Sequence, residues 1–65
     1  MAPHQERVVQ EKQELDERLF KLRLFLEKQA FKELDIREKS LLTLQEQVMH
    51  NYSDVLAERI ALWSK

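Results

Sequence analysis

The 65-residue chain has no glycine, no cysteine and a single proline, Pro3, which excludes phosphate-cradling glycine loops, nucleophile elbows, thiol catalysis and cysteine-based metal frameworks. Eleven Lys and Arg face twelve Asp and Glu, a formal net charge of −1, so the chain is not a gross polyelectrolyte. Below about 70 residues one core rarely supplies more than ~3 to 5 kcal/mol, and without a disulfide this chain, 43% apolar, needs a second copy or a partner to hide its apolar surface.

The first predicted element is a helix over about residues 4 to 28. Val8, Leu15, Leu19, Leu22 and Leu26 recur at steps of three and four once Lys12 is counted as an interruption, the seam of an amphipathic helix. Pro3 suits the first turn, where its missing N–H is no loss, and Glu6 sits at the positive end of the helix dipole. Extended past Leu26, that seam lands on Gln29, Glu33, Ile36, Ser40, Thr43 and Gln47, nearly all polar, so the first helix ends. A connection follows over about residues 29 to 34, with Phe31 and Leu34 covering the end of the core; no glycine marks a cap, so a helical turn inside it is open. Asp35 and Glu38 have the spacing of a capping box. The second helix runs from Ile36 to about residue 64, with an apolar stripe of Leu41, Leu42, Gln45, Val48, Met49, Tyr52, Val55, Leu56, Ile60 and Trp63.

Two helices of similar length joined by a short connection make an antiparallel hairpin, so the expected fold is all-α and the chain one unit over residues 1–65. One hairpin buries one face. In Leu19 to Leu26 the side chains of Phe20 and Leu24 point away from the seam, which argues for an oligomer, first a dimer forming a four-helix bundle. The expected oligomer or partner interface comprises Leu15, Leu19, Phe20, Leu22, Leu24, Leu26, Met49, Tyr52, Leu56, Ile60 and Trp63. Gln45 and Tyr52 read as polar groups inside the apolar stripe, where they set register, and Trp63 as a cap on the open end.

Charge is distributed in blocks. Residues 1 to 17 carry a net −3, residues 18 to 39 a net +3 and residues 40 to 65 a net −1. In a hairpin the middle block is the turn end, so Arg23, Lys28, Lys32, Arg37 and Lys39 form a candidate anion-binding pole, flanked by Arg18 and Lys21. Glu27, Glu33, Asp35 and Glu38 neutralise part of that charge. Glu46, His50 and Asp54 share one helix face, but bundle metal sites use Glu-x-x-His pairs on separate helices, so the expectation is a solvated polar face with no metal and no cofactor. Ser53, Asp54 and His50 lack the geometry of a catalytic triad, and no enzyme is expected. No apolar run approaches the ~18 residues that span a bilayer, and the start MAPHQERVVQ has no leader pattern; the expected location is the cytoplasm, without membrane association.

The stretches HQERVVQEKQELDERLFKLRLFL and LLTLQEQVMHNYSDVLAERIALW, with Phe31 and Leu34 between them, resemble a family of short uncharacterised helical proteins encoded by tailed bacteriophages and prophages. The resemblance spans about residues 4 to 63, with Glu6-Arg7-Val8, Met49 to Ser53 and Glu58-Arg59-Ile60 as its best marks. It implies a phage or prophage origin and an accessory role in the infected cell, and it transfers no catalytic residue. Three readings follow. The first is an oligomeric interaction module that binds a host or phage protein or modulates host defence. The alternative is a protein that sequesters an anionic small molecule such as a cyclic nucleotide signal, and a weak nucleic-acid binder ranks last because the pI near 6.1 lacks a basic excess.

Overall fold

With Pro3 at its first position and Ala2 extended before it, the first helix opens where a lost N–H costs nothing, and the side-chain carbonyl of Gln5 accepts the Ala2 amide at 3.0 Å. The structure, a computed structural model, describes residues 2–63. Helix α1 spans Pro3–Leu26, a short helical turn α2 spans Gln29–Lys32, and α3 spans Ile36–Trp63. The described residues are helical apart from Ala2 and the connections, and the two long helices pack against each other. Contacts such as His4 with Trp63, Lys12 with Ser53 and Arg23 with Glu46 set them antiparallel. The result is a rod with extents of 46 × 15 × 14 Å.

A glycine-free chain has to reverse direction without left-handed residues, and no described residue has a positive φ. Instead Lys28 adopts an extended conformation (φ −84°, ψ 155°), and its carbonyl then accepts the amides of Phe31 and Lys32, which starts α2. Phe31 closes back on Phe25 in an edge-to-face contact, ring centroids 6.1 Å apart. The connection therefore does contain a helical turn. The first helix stops at Leu26, two residues before the expected end, because the extended Lys28 breaks the hydrogen-bond ladder. The expected end of the second helix at residue 64 lies outside the described residues.

Along α1 the inward row is Gln5, Val8, Lys12, Leu15, Leu19, Leu22 and Leu26, each buried or half-buried. The matching row on α3 is Leu42, Glu46, Met49, Ser53, Leu56, Ile60 and Trp63. Both rows step by alternating threes and fours, the seam of a two-helix packing. Val8, Leu15 and Leu56 form the core cluster, with Met49, Ile60 and Trp63 packed against it. The long apolar stripe expected on the second helix therefore splits. Its inner half faces α1, while Leu41, Gln45, Val48, Tyr52 and Val55, about 100° round the helix, face outward from the hairpin. The two positions needed to complete the inner row, Glu46 and Ser53, are polar, which is why a search for apolar residues shifted the stripe outward.

Candidate functional site

Lys12, which interrupts the apolar seam of α1, is satisfied across it. Its ammonium donates to Asp16 Oδ2 at 2.7 Å and to Ser53 Oγ at 3.0 Å, and the Ser53 hydroxyl donates to Asp16 Oδ1 at 2.5 Å. Ser53 is buried at 7% exposure, and among the described residues no buried side-chain polar atom lacks a partner. The Lys12 ammonium, then the Ser53 hydroxyl, hold the Asp16 carboxyl below its ordinary value, against the opposing effect of burial. This closed triad holds the stem in register and offers no free group for chemistry. It was missed in the sequence, although a lysine in an apolar seam with an aspartate one turn on is a signal to search the facing helix for a hydroxyl.

A second polar group crosses the hairpin nearer the turn. Arg23 donates to Glu46 Oε1 at 3.3 Å and to His50 Nδ1 at 3.2 Å, and His50 Nε2 stands 3.5 Å from Asp54. The guanidinium thus occupies the place a cation would take between Glu46 and His50, and among the described residues no cluster of three metal-ligating side chains is found. Arg23 is drawn out of the expected cationic pole into this network.

An open cleft of about 720 Å³ lies on α3 at the turn end, and of the expected pole Lys39 lines it. Its walls are the apolar Phe31, Ile36 and Leu44, the polar Ser40, Thr43 and Gln47, and the charged Lys39 and Glu46. Lys39 reaches the Lys32 carbonyl at 3.3 Å, and the Thr43 hydroxyl is already committed to the Lys39 carbonyl at 2.8 Å. Lys32 and Arg37 are chain neighbours of the lining residues Phe31 and Ile36, and the side chains of Lys28, Lys32 and Arg37 make no ion pair with another described residue. The cleft thus pairs an aromatic and aliphatic wall with one cation, Lys39, and one carboxylate, Glu46, which Arg23 already engages. Ile36, Ser40, Thr43 and Gln47 entered the sequence reading only as the mostly polar row that ends the first seam, and Leu44 not at all, because they lie on the face of α3 away from its own seam, where periodicity reads only as solvent.

The family model named Sequestin matches residues 2–62. The chain belongs to the Sequestin family. No curated protein and no solved structure matches it. The Sequestin match covers both long helices, the triad of the stem and the cleft at the turn end together.

The residues expected at an oligomer or partner interface divide in this Sequestin hairpin. Leu15, Leu19 and Leu56 are buried within it, and Leu22, Leu26, Met49, Ile60 and Trp63 are half-buried on the same seam. Trp63 meets the His4 ring edge-on at 6.1 Å. Phe20 at 63% and Leu24 at 46% are exposed, on the outer face of α1. Tyr52 and Gln45 are exposed in the hairpin; the Tyr52 hydroxyl donates to Glu11, which raises its pKa, and Gln45 reaches the Met49 sulfur at 3.8 Å. Among the described residues no helix is long and apolar enough to cross a membrane.

Proposed function

We propose that this chain is a non-enzymatic sequestering protein for an anionic small molecule of the cyclic nucleotide class. The observation that carries this reading is the cleft, in which Phe31, Ile36 and Leu44 lie beside Lys39, with Arg37 and Lys32 next to them in the chain. A base or ribose face packs on the apolar floor, Ser40 and Gln47 supply hydrogen bonds, and the cations meet the phosphate. The cleft volume falls within the usual range of about 300 to 1,000 Å³ for small-molecule sites. The family name points to sequestration in the same direction, and the absence of glycine and cysteine leaves little for covalent chemistry. A single hairpin leaves the cleft open, so the working form is a homo-oligomer, a dimer first, in which a second copy helps enclose the ligand. The setting is phage or prophage accessory function in the host cytoplasm, where holding a nucleotide signal blunts a defence response.

Native mass spectrometry of the protein mixed with a cyclic mononucleotide or a cyclic dinucleotide tests this. The expected result is a retained adduct that is lost in Lys39→Glu and in Arg37→Glu, and ligand recovered chemically intact after denaturation. An apo mass with both probes rejects the reading, and recovery of a hydrolysed product converts the protein into an enzyme. A second reading, capture of a host or phage protein, is favoured by one observation: Phe20 and Leu24 form an exposed apolar pair one turn apart on α1. Alanine at both positions abolishes partner capture under that reading and leaves nucleotide binding unchanged.

A further inference from the structure

We infer that the outer apolar row of α3 is the self-association face, and that two copies pair α3 against α3 antiparallel, with the two-fold axis passing beside Asn51 and Tyr52. The inference rests on the oligomeric reading above and adds the surface, the direction and the register. Leu41, Val48, Val55 and Leu62 repeat every seven residues along α3, and all four are more than half exposed in the hairpin. A strict seven-residue apolar repeat is the pattern of a helix that packs along a partner helix, and here the row lies about 100° from the seam that α1 already occupies. That is the disposition of a helix with two neighbours in a bundle.

A lone hairpin leaves much surface uncovered. A compact monomer of 7.9 kDa exposes about 4,400 Å², whereas this hairpin exposes 5220 Å². The surplus of roughly 800 Å² follows from the elongated shape of the hairpin, which side-by-side pairing with a second copy would reduce.

Charge decides the direction. Arg37 and Arg59 fall in line with the apolar row, so a parallel in-register pair stacks each arginine on its own copy. Antiparallel pairing about Asn51 and Tyr52 sets Leu41 against Leu62 and Val48 against Val55, each twice by symmetry, and Arg59 against Leu44 and the adjoining Gln45. Sliding by one heptad in one direction brings Arg37 against Arg59 and carries Leu62 past the start of α3. Sliding in the other carries Leu41 past the end of α3 at Trp63. Only the proposed register matches all four apolar positions. Because Leu44 also lines the cleft, the same register brings the second copy's helix to the cleft rim.

Sedimentation equilibrium of the full chain should give twice the 7.9 kDa chain mass, falling to the single mass in Val48→Glu and staying double in Phe20→Glu on the other helix. If Val48→Glu fails to fold, single cysteines decide, since the chain has none of its own. Leu41→Cys mixed with Leu62→Cys should form the crossed disulfide, and Val48→Cys should crosslink to Val55→Cys in preference to itself. A monomeric wild type overturns the inference together with the oligomeric reading. A dimer that survives Val48→Glu, or one that loses its mass in Phe20→Glu, overturns the surface alone, and preferential self-linking of Leu41→Cys overturns the antiparallel register. Nucleotide binding is read separately, so failure of the cleft reading leaves this test intact.

Discussion

The stem and the turn end of the hairpin use the same two helices and differ in what they bury. Every buried described residue, Val8, Leu15, Leu19, Ser53 and Leu56, lies no nearer the turn than Leu19 on α1 and Ser53 on α3. Beyond them the turn end has half-buried side chains and the exposed Ile36, Leu41 and Leu44. Burial and closed polar networks concentrate stability, whereas open apolar surface beside free charge is what a ligand or a second chain needs. The comparison teaches that burial is concentrated in the stem, while the turn end is held by half-buried side chains and leaves the cleft open.

The separation breaks if substitutions at the two ends have similar effects. Leu56, with 0% exposure, is the extreme of the stem, and Leu56→Ala should cost about 2 to 5 kcal/mol, enough to unfold much of a domain this small. Urea denaturation followed by helical circular dichroism checks it. Ser53→Ala should cost about 1 to 3 kcal/mol in the same assay, since Lys12 and Asp16 lose their shared partner inside the seam.

A smaller effect is expected from pH. The Asp16 carboxyl is depressed in the folded state, so its contribution to stability is complete above the ordinary value of 3.8 and is lost as pH falls through the lower folded value. Thermal midpoints between neutral pH and pH near 3 should therefore drop less in Asp16→Asn than in wild type, from a lower starting point. A full-sized drop in Asp16→Asn would remove Asp16 from the acid sensitivity of the stem. At the bottom of the range, Ile36→Ala at the turn end, 68% exposed, should leave hairpin stability within about 0.5 kcal/mol while weakening nucleotide retention. A stability loss there as large as that of Ser53→Ala would show that the turn end folds as tightly as the stem.

Much of the architecture was legible in the sequence for local reasons. Steps of three and four among Val8, Leu15, Leu19, Leu22 and Leu26 marked the seam of α1, because helical periodicity is a property of one chain segment read alone. The absence of glycine left open whether the connection holds a helical turn, and α2 answers that it does. The separation of charge, negative before residue 18 and positive through residue 39, needed only counting.

Which face of α3 meets α1 was a different kind of question. Two rows one residue apart each carry apolar side chains at helical steps, and hydrophobicity does not choose between them because the outer row of Leu41, Val48, Val55 and Leu62 is the cleaner of the two. The tertiary structure chose the row containing Ser53 and Glu46, since Lys12, Asp16 and Arg23 already stood in or beside the seam of α1 and needed polar partners opposite them. The sequence by itself determined helices, hairpin and charge blocks through interactions within about one helical turn. Facing register, the cleft and the apolar row left outside were decided only in the folded hairpin, because the half-buried Lys12 and Asp16 are satisfied by a buried hydroxyl some forty residues away, and their proximity depends on the two helices already being paired.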